Sequence, residues 1–227
     1  MTMGTGSIYP GSNKGDRSET RVAVFIDGSN LYHALRDNFK RVDLNFADFI
    51  SALLGQRQLF RTYYYNVLQD PRSRPEGSSD QQEFLDVLRK TPYLEVRLGT
   101  TKLLQGIPVE KGIDIMLATD LLYFGWINLY DVAILVSGDG DFAYALQAAK
   151  NMGKHVEVAY FESNISKDLL DVADSKHLLD RNFFKSMWRS RRPRTRRPKQ
   201  LQRRGPQEGS TITQPANASH NIAPNPA

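Results

Sequence analysis

Two short apolar runs, Val22-Ala23-Val24-Phe25-Ile26 and Val132-Ala133-Ile134-Leu135-Val136, constrain the fold of this chain more than any other feature. A strand with one wet face alternates apolar and polar residues. These runs do not alternate, and β-branched side chains recur in both. Each therefore reads as an interior strand with both faces covered, the usual state of a parallel sheet. Each run stops at acid and glycine: Asp27-Gly28 after the first, Ser137-Gly138-Asp139-Gly140-Asp141 after the second.

Between and around them the apolar period keeps switching. Leu31, Leu35 and Phe39 share one face of a helix that Ser29 is placed to cap. Phe46, Phe49, Ile50 and Leu53 mark a second helix, opened by Leu44 or Asn45 and closed at Gly55. Residues 59–67 read as a strand, 69–79 as a Pro- and Gly-containing loop, and 79–90 as a helix. Residues 93–104 read as extended, either one strand or a hairpin arm, broken by Gly106 and Pro108. Helices are expected over 111–124 and 142–152, a strand over 155–161, and mostly helix over 169–179. Strands alternating with helices in this way define an α/β protein. Right-handed crossovers put helices on both faces, so the expected architecture is a three-layer α/β/α sandwich around a mainly parallel sheet.

Residues 1–20, rich in Gly, Ser and Thr, read as a disordered N-terminal segment and not as a signal peptide. Residues 21–185 form the expected domain, and 186–227 a basic, Arg/Pro-rich disordered tail. The net charge of +5 belongs to that tail: residues 21–185 hold 19 Lys and Arg against 22 Asp and Glu, residues 186–227 hold 9 against 1. Cysteine is absent, which excludes disulfides, thiolate zinc sites and a cysteine nucleophile, and is compatible with the expected cytoplasmic location. No run approaches the roughly 18 apolar residues of a membrane helix, so no membrane partner is expected.

Ligands of open α/β sheets sit at the carboxyl ends of the strands. Both interior strands deliver acid there: Asp27 from one, Asp139 and Asp141 from the other. Carboxylates brought together repel, so either some hold protons or a cation sits among them. All-oxygen donors with no histidine in the motifs suit Mg²⁺ or Mn²⁺ better than zinc. A third contribution comes from Lys111-Gly112-Ile113-Asp114, with Asp114 in the first turn of its helix. Asp120 follows six positions later, roughly 240° round the helix at about 100° per residue, and does not share its face. Each acid alone is also ordinary cap or turn chemistry; the set is what points to a metal. Other sites do not fit. An adhesion-type Asp-x-Ser-x-Ser would need serine where Leu31 stands, and a dehalogenase-type phosphatase would need aspartate at Ser29. Neither a phosphate-binding P-loop nor a dinucleotide turn is present.

Three segments resemble one known family. Val24-Phe25-Ile26-Asp27-Gly28-Ser29-Asn30-Leu31 is similar to the opening signature of NYN domains, Lys111-Gly112-Ile113-Asp114 through Asp120-Leu121 to their central motif, and Leu135 through Phe142 to their late one. They occur in the family's order, cover about residues 21–180, and lie nearest to the LabA-like bacterial branch. The resemblance implies a PIN-like, Rossmann-like fold, a divalent metal and cleavage of RNA phosphodiesters. By position it implies Asp27, Asp114, Asp139 and Asp141 as catalytic, metal-binding acids. Asn30 would orient Asp27 or water, with Ser137 and Lys111 nearby and Asp120 at most a supporting residue.

The expected activity is thus a metal-dependent ribonuclease using Mg²⁺ or Mn²⁺. Arg191, Arg192, Arg194, Arg196 and Arg197 in the tail are the expected RNA-binding residues, through non-specific attraction to phosphate. A homo-oligomer is compatible with the sequence. Two other classes stay open: a catalytically silent RNA-binding or regulatory module, and a phosphatase or nucleotide hydrolase. Tyr63, Tyr64 and Tyr65 are aromatic enough to stack bases, yet strand alternation assigns at least one to the core. His33, His155, His177 and His220 are scattered and read as ordinary histidines.

Overall fold

The computed structural model describes residues 20–68, 75–104 and 107–189. The chain runs β1 (Arg21–Asp27), α1 (Gly28–Phe39), α2 (Phe46–Leu54), β2 (Gln58–Val67), α3 (Pro75–Arg89), β3 (Leu94–Leu104) and β4 (Ile107–Lys111). It continues with α4 (Ile113–Trp126), β5 (Val132–Val136), α5 (Ala143–Asn151), β6 (His155–Tyr160), α6 (Lys167–Val172) and β7 (Ser175–Leu178). Strand order is β4-β3-β2-β1-β5-β6-β7, parallel throughout except for the antiparallel pair β3–β4 at one edge.

β1 lies between β2 and β5. The chain leaves it in one direction through β2, β3 and β4, then returns to its other side for β5, β6 and β7. The order reverses between β1 and β5, and at such a switch point the connections diverge and leave a crevice at the strand carboxyl ends.

Both faces of the sheet are covered, as the unbroken apolar runs require. Val22, Val24 and Ile26 of β1 and Val132, Ile134 and Val136 of β5 pack with Leu31 and Leu35 of α1, Phe49 and Leu53 of α2 and Leu85 and Leu88 of α3. Ala23, Phe25, Ala133 and Leu135 point the other way, against Leu117 and Leu121 of α4, Leu146 of α5 and Leu169 of α6. The result is the expected three-layer α/β/α sandwich. Tyr63, Tyr64 and Tyr65 are all buried, so none is available to stack on a base.

Four expectations need correction. First, residues 175–178 form an edge strand, not the end of a helix; Ala173, extended, stops α6, and Asp174 accepts the Val156 amide and leads the chain into β7. Second, α3 starts at Pro75, inside the stretch read as a loop; proline suits a first helical turn because its missing N–H would have no intrahelical partner there. Residues 69–74 lie outside the described residues. Third, Lys111 does not open a helix: it ends edge strand β4, which pairs antiparallel with β3 so that the two form a hairpin, and α4 starts at Ile113; Pro108 is tolerated in β4 because no further strand needs its amide. Fourth, the body runs past residue 185. Met187 is in the core, Trp188 packs on Phe39 and Phe184 and bridges to Leu44, and the Arg41 guanidinium lies 4.4 Å from the Trp188 ring. The N-terminal 19 residues and everything from 190 onward, including Arg191, Arg192, Arg194, Arg196 and Arg197, fall outside the described residues. Among the described residues no helix is long and apolar enough to cross a membrane.

Candidate active site

Parallel pairing sets Ile26 beside Val136, so the next residues, Asp27 and Ser137, emerge side by side. Asp27, not Ser29, caps α1: its Oδ1 accepts the Asn30 amide at 3.0 Å. Its Oδ2 accepts the Ser137 hydroxyl at 3.0 Å, and Ser137 Oγ in turn accepts the Asp139 amide at 3.1 Å. Asp139 then caps a short 3₁₀ turn by accepting the Asp141 amide at 3.0 Å. The two strand ends are therefore tied by one chain of hydrogen bonds running through their acids.

Asn30 closes a second link. Its Oδ1 accepts both the Gly138 amide, at 3.2 Å, and the Asn164 side-chain amide, at 3.1 Å. This close approach requires glycine at 138, because a Cβ there would stand 2.2 Å from the Asn164 carbonyl oxygen. Gly28 is similarly constrained, with Tyr64 and the Tyr65 carbonyl under 3 Å from a Cβ.

The crevice at this edge is an open cleft of about 320 Å³ lined by Asp27, Ser29, Asn30, His33, Asn66, Gly112, Asp114, Asp139 and Asn164, among others. Three of the four acids singled out from sequence thus meet in one cleft, and they come from three separate elements. Asp27 is buried, and burial pushes its carboxyl up to about 6. The charges of Asp114 and Asp139 push the same way, against the bonds from Asn30 and Ser137. The Asp114 carboxyl is also raised, by burial first and then by Asp139 and Asp141.

The remaining singled-out residues stand apart. Asp141 is exposed and does not line the cleft, although its charge reaches Asp114. Asp120 faces away: its Oδ2 accepts the Tyr65 hydroxyl at 3.0 Å and lies 3.7 Å from Arg97. The side chain of Lys111 lies outside the described residues. Ser29, His33, Asn66 and Asn164 line the cleft and were not assigned to a site from the sequence, although Ser29, Asn30 and His33 share the spacing of one helix face. Asn66 and Asn164 sit in or just beyond the carboxyl-terminal ends of β2 and β6, the edge that already collects the acids.

The donors suit a hard divalent cation: three carboxylates with amide and hydroxyl oxygens beside them, and no sulfur. Their spacing is wider than ligation requires. Among the described residues no three His, Cys, Asp or Glu side chains are grouped tightly enough to hold an ion as they stand.

An acidic cleft at the switch point of a parallel α/β sheet, built from two strand ends and one helix start, is the class of site the geometry defines. The sequence matches the NYN domain family over residues 21–180, and the chain belongs to that family. It is 29% identical over 176 residues to the low amplitude and bright protein LabA of Synechococcus elongatus, covering 74% of this chain and 87% of that protein. Its fold is similar to a crystal structure of a protein of unknown function from Vibrio parahaemolyticus, with a TM-score of 0.61 at 22% identity, over 73% of this chain and 96% of the other.

Proposed function

We propose that this chain is a metal-dependent ribonuclease whose site is the Asp27–Asp114–Asp139 cleft. The observation that carries the reading is the convergence of these three carboxylates, from β1, α4 and the turn after β5, at the sheet's switch point. Family membership supports it, since NYN domains resemble nucleases that hydrolyse RNA phosphodiesters.

Asp27, Asp114 and Asp139 would hold Mg²⁺ or Mn²⁺, with Asp141 close enough to add charge. An ion held there would supply Lewis-acid chemistry, offsetting charge on the scissile phosphate and lowering the pKa of water. The chain's own residues do the rest. Ser137 and the Asn30 amide hold the two oxygens of Asp27 in place. Asn30 and Asn164 brace the two loops against each other, which fixes the separation of Asp27 and Asp139. His33, Asn66 and Ser29, on the cleft wall, offer hydrogen bonds to phosphate or ribose oxygens. Arg191, Arg192, Arg194, Arg196 and Arg197 supply sequence-independent attraction to RNA that the mildly acidic body lacks.

A second reading, a catalytically silent RNA-binding or regulatory NYN module, draws on the open spacing of the acids. RNA cleavage followed over time in Mn²⁺, Mg²⁺ or EDTA separates the two. Metal-dependent, EDTA-quenched cleavage favours the nuclease; RNA binding with no turnover in any metal favours the silent module.

A further inference from the structure

Helix α4 is apolar around most of its circumference, and the domain uses only part of it. Ile113, Leu117, Leu121 and Phe124 face the sheet and are buried. At about 100° per residue, the opposite arc, roughly 80° wide, carries Ile115, Thr119, Tyr123 and Trp126, flanked by Ala118 and Leu122, which are half-buried against the core. That arc holds no charged residue. Ile115 is 73% exposed, Trp126 77% and Tyr123 55%. On α5, which packs beside α4, Tyr144 is 84% exposed. A helix on a free surface presents charge outward, whereas one apolar all round is normally covered.

We propose that the outer face of α4, extended by Tyr144, is the surface through which two copies of this chain pair. Three features select a second copy as the occupant. In a two-fold contact the patch meets itself, so any charge on it would face its like; this arc has none. Its area suits a dimer: at about 200 Å² per aromatic side chain, the exposed parts of Tyr123, Trp126 and Tyr144 amount to roughly 400 Å², about half of the ~800 Å² each partner contributes to a standard interface. Ile115 and Thr119 between them add to that, and Asp114 at one end and the Lys154–Asn128 hydrogen bond at the other form a polar rim. The chain itself has little to cover the patch with. Outside the described residues, the segment from 190 offers Leu201, Ile212 and Ile222 as its bulky apolar side chains, amid arginine, proline and amides, and the first 19 residues add Ile8, Tyr9 and two methionines.

The pairing does not depend on the ribonuclease reading. Sedimentation velocity of the full chain across the micromolar range tests it. The wild type is expected to sediment as a dimer. Trp126→Glu and, separately, Thr119→Arg are expected to weaken association at least about tenfold, with unchanged far-ultraviolet circular dichroism. Both substitutions fall on exposed positions, so each remains informative if the other misfolds. A wild type that stays monomeric throughout, or a dimer that neither substitution weakens, would overturn the proposal.

Discussion

Asp27 holds two roles that pull in opposite directions. As the cap of α1 it accepts a backbone amide, which any small acceptor at that position does. As a buried carboxylate beside Asp114 and Asp139 it carries a charge that burial and its neighbours disfavour, with a pKa of about 6. Asp27→Asn keeps an oxygen for the cap and removes the charge. The variant is expected to lose RNA cleavage and, in EDTA at neutral pH, to melt above the wild type by the equivalent of about 1–3 kcal/mol. Calorimetry of both forms checks this; a variant that cleaves RNA at the wild-type rate would remove Asp27 from the mechanism. Asp114 and Asp120 provide a matched pair on one helix. Asp114→Asn should lower cleavage by orders of magnitude. Asp120→Asn, facing Tyr65 and Arg97, should leave turnover within a few-fold and cost about 1 kcal/mol of stability. The acids could be read from the sequence because each ends a strand or opens a helix. Asn66 and Asn164 could not, because each comes from a different element and no local spacing joins them to the acids. They become legible only once the strand order is known.

The elements that the sequence showed least clearly are at the sheet edges. Interior strands β1 and β5 declare themselves because burial on both faces demands an unbroken apolar run. Edge strand β7, Ser175-Lys176-His177-Leu178, has no such run, and its pairing to β6 depends on partners distant in sequence. Much of that junction is electrostatic. Glu157 of β6 is buried beneath the Arg57 guanidinium, and its Oε2 lies 2.7 Å from His177 Nε2 on β7. Burial alone would raise the Glu157 carboxyl, but the bonds from His177 and Arg57 outweigh it and hold it down at about 2, below its ordinary 4.5. The sign follows from the depressed value: the folded protein gains stability from ionised Glu157 above pH ~4.5 and loses that gain as pH falls toward 2. Acid unfolding of the wild type should therefore steepen across that window. Glu157→Gln should flatten this limb while lowering stability at neutral pH, because it leaves Arg57 with a weaker partner. A wild-type acid limb that Glu157→Gln leaves unchanged would show that the junction does not set it.

At the scale of the whole molecule, the charge is divided between a mildly acidic body and a basic terminal segment. The division was plain from sequence; its boundary was not, because Met187 and Trp188 look like isolated apolar residues in a polar stretch and prove to pack on Phe39 and Phe184. Replacing Arg191, Arg192, Arg194, Arg196 and Arg197 together with glutamine leaves those contacts alone. If all five meet phosphate, the slope of log affinity against log salt should fall by as much as ~3.5 for single-stranded RNA, with the rate at saturating RNA unchanged. Fluorescence anisotropy across a salt series measures it, and superimposable slopes would mean that these arginines do not touch RNA. The cleft between β1 and β5 is put to the test by cleavage of a labelled RNA in Mn²⁺ by wild type and by Asp139→Asn, purified in parallel, with EDTA added to a matched wild-type sample. Cleavage is expected from the wild type alone, stopped by EDTA, with both proteins folded; equal cleavage by the two, or cleavage indifferent to EDTA, would show that the cleft is not a metal-dependent nuclease site.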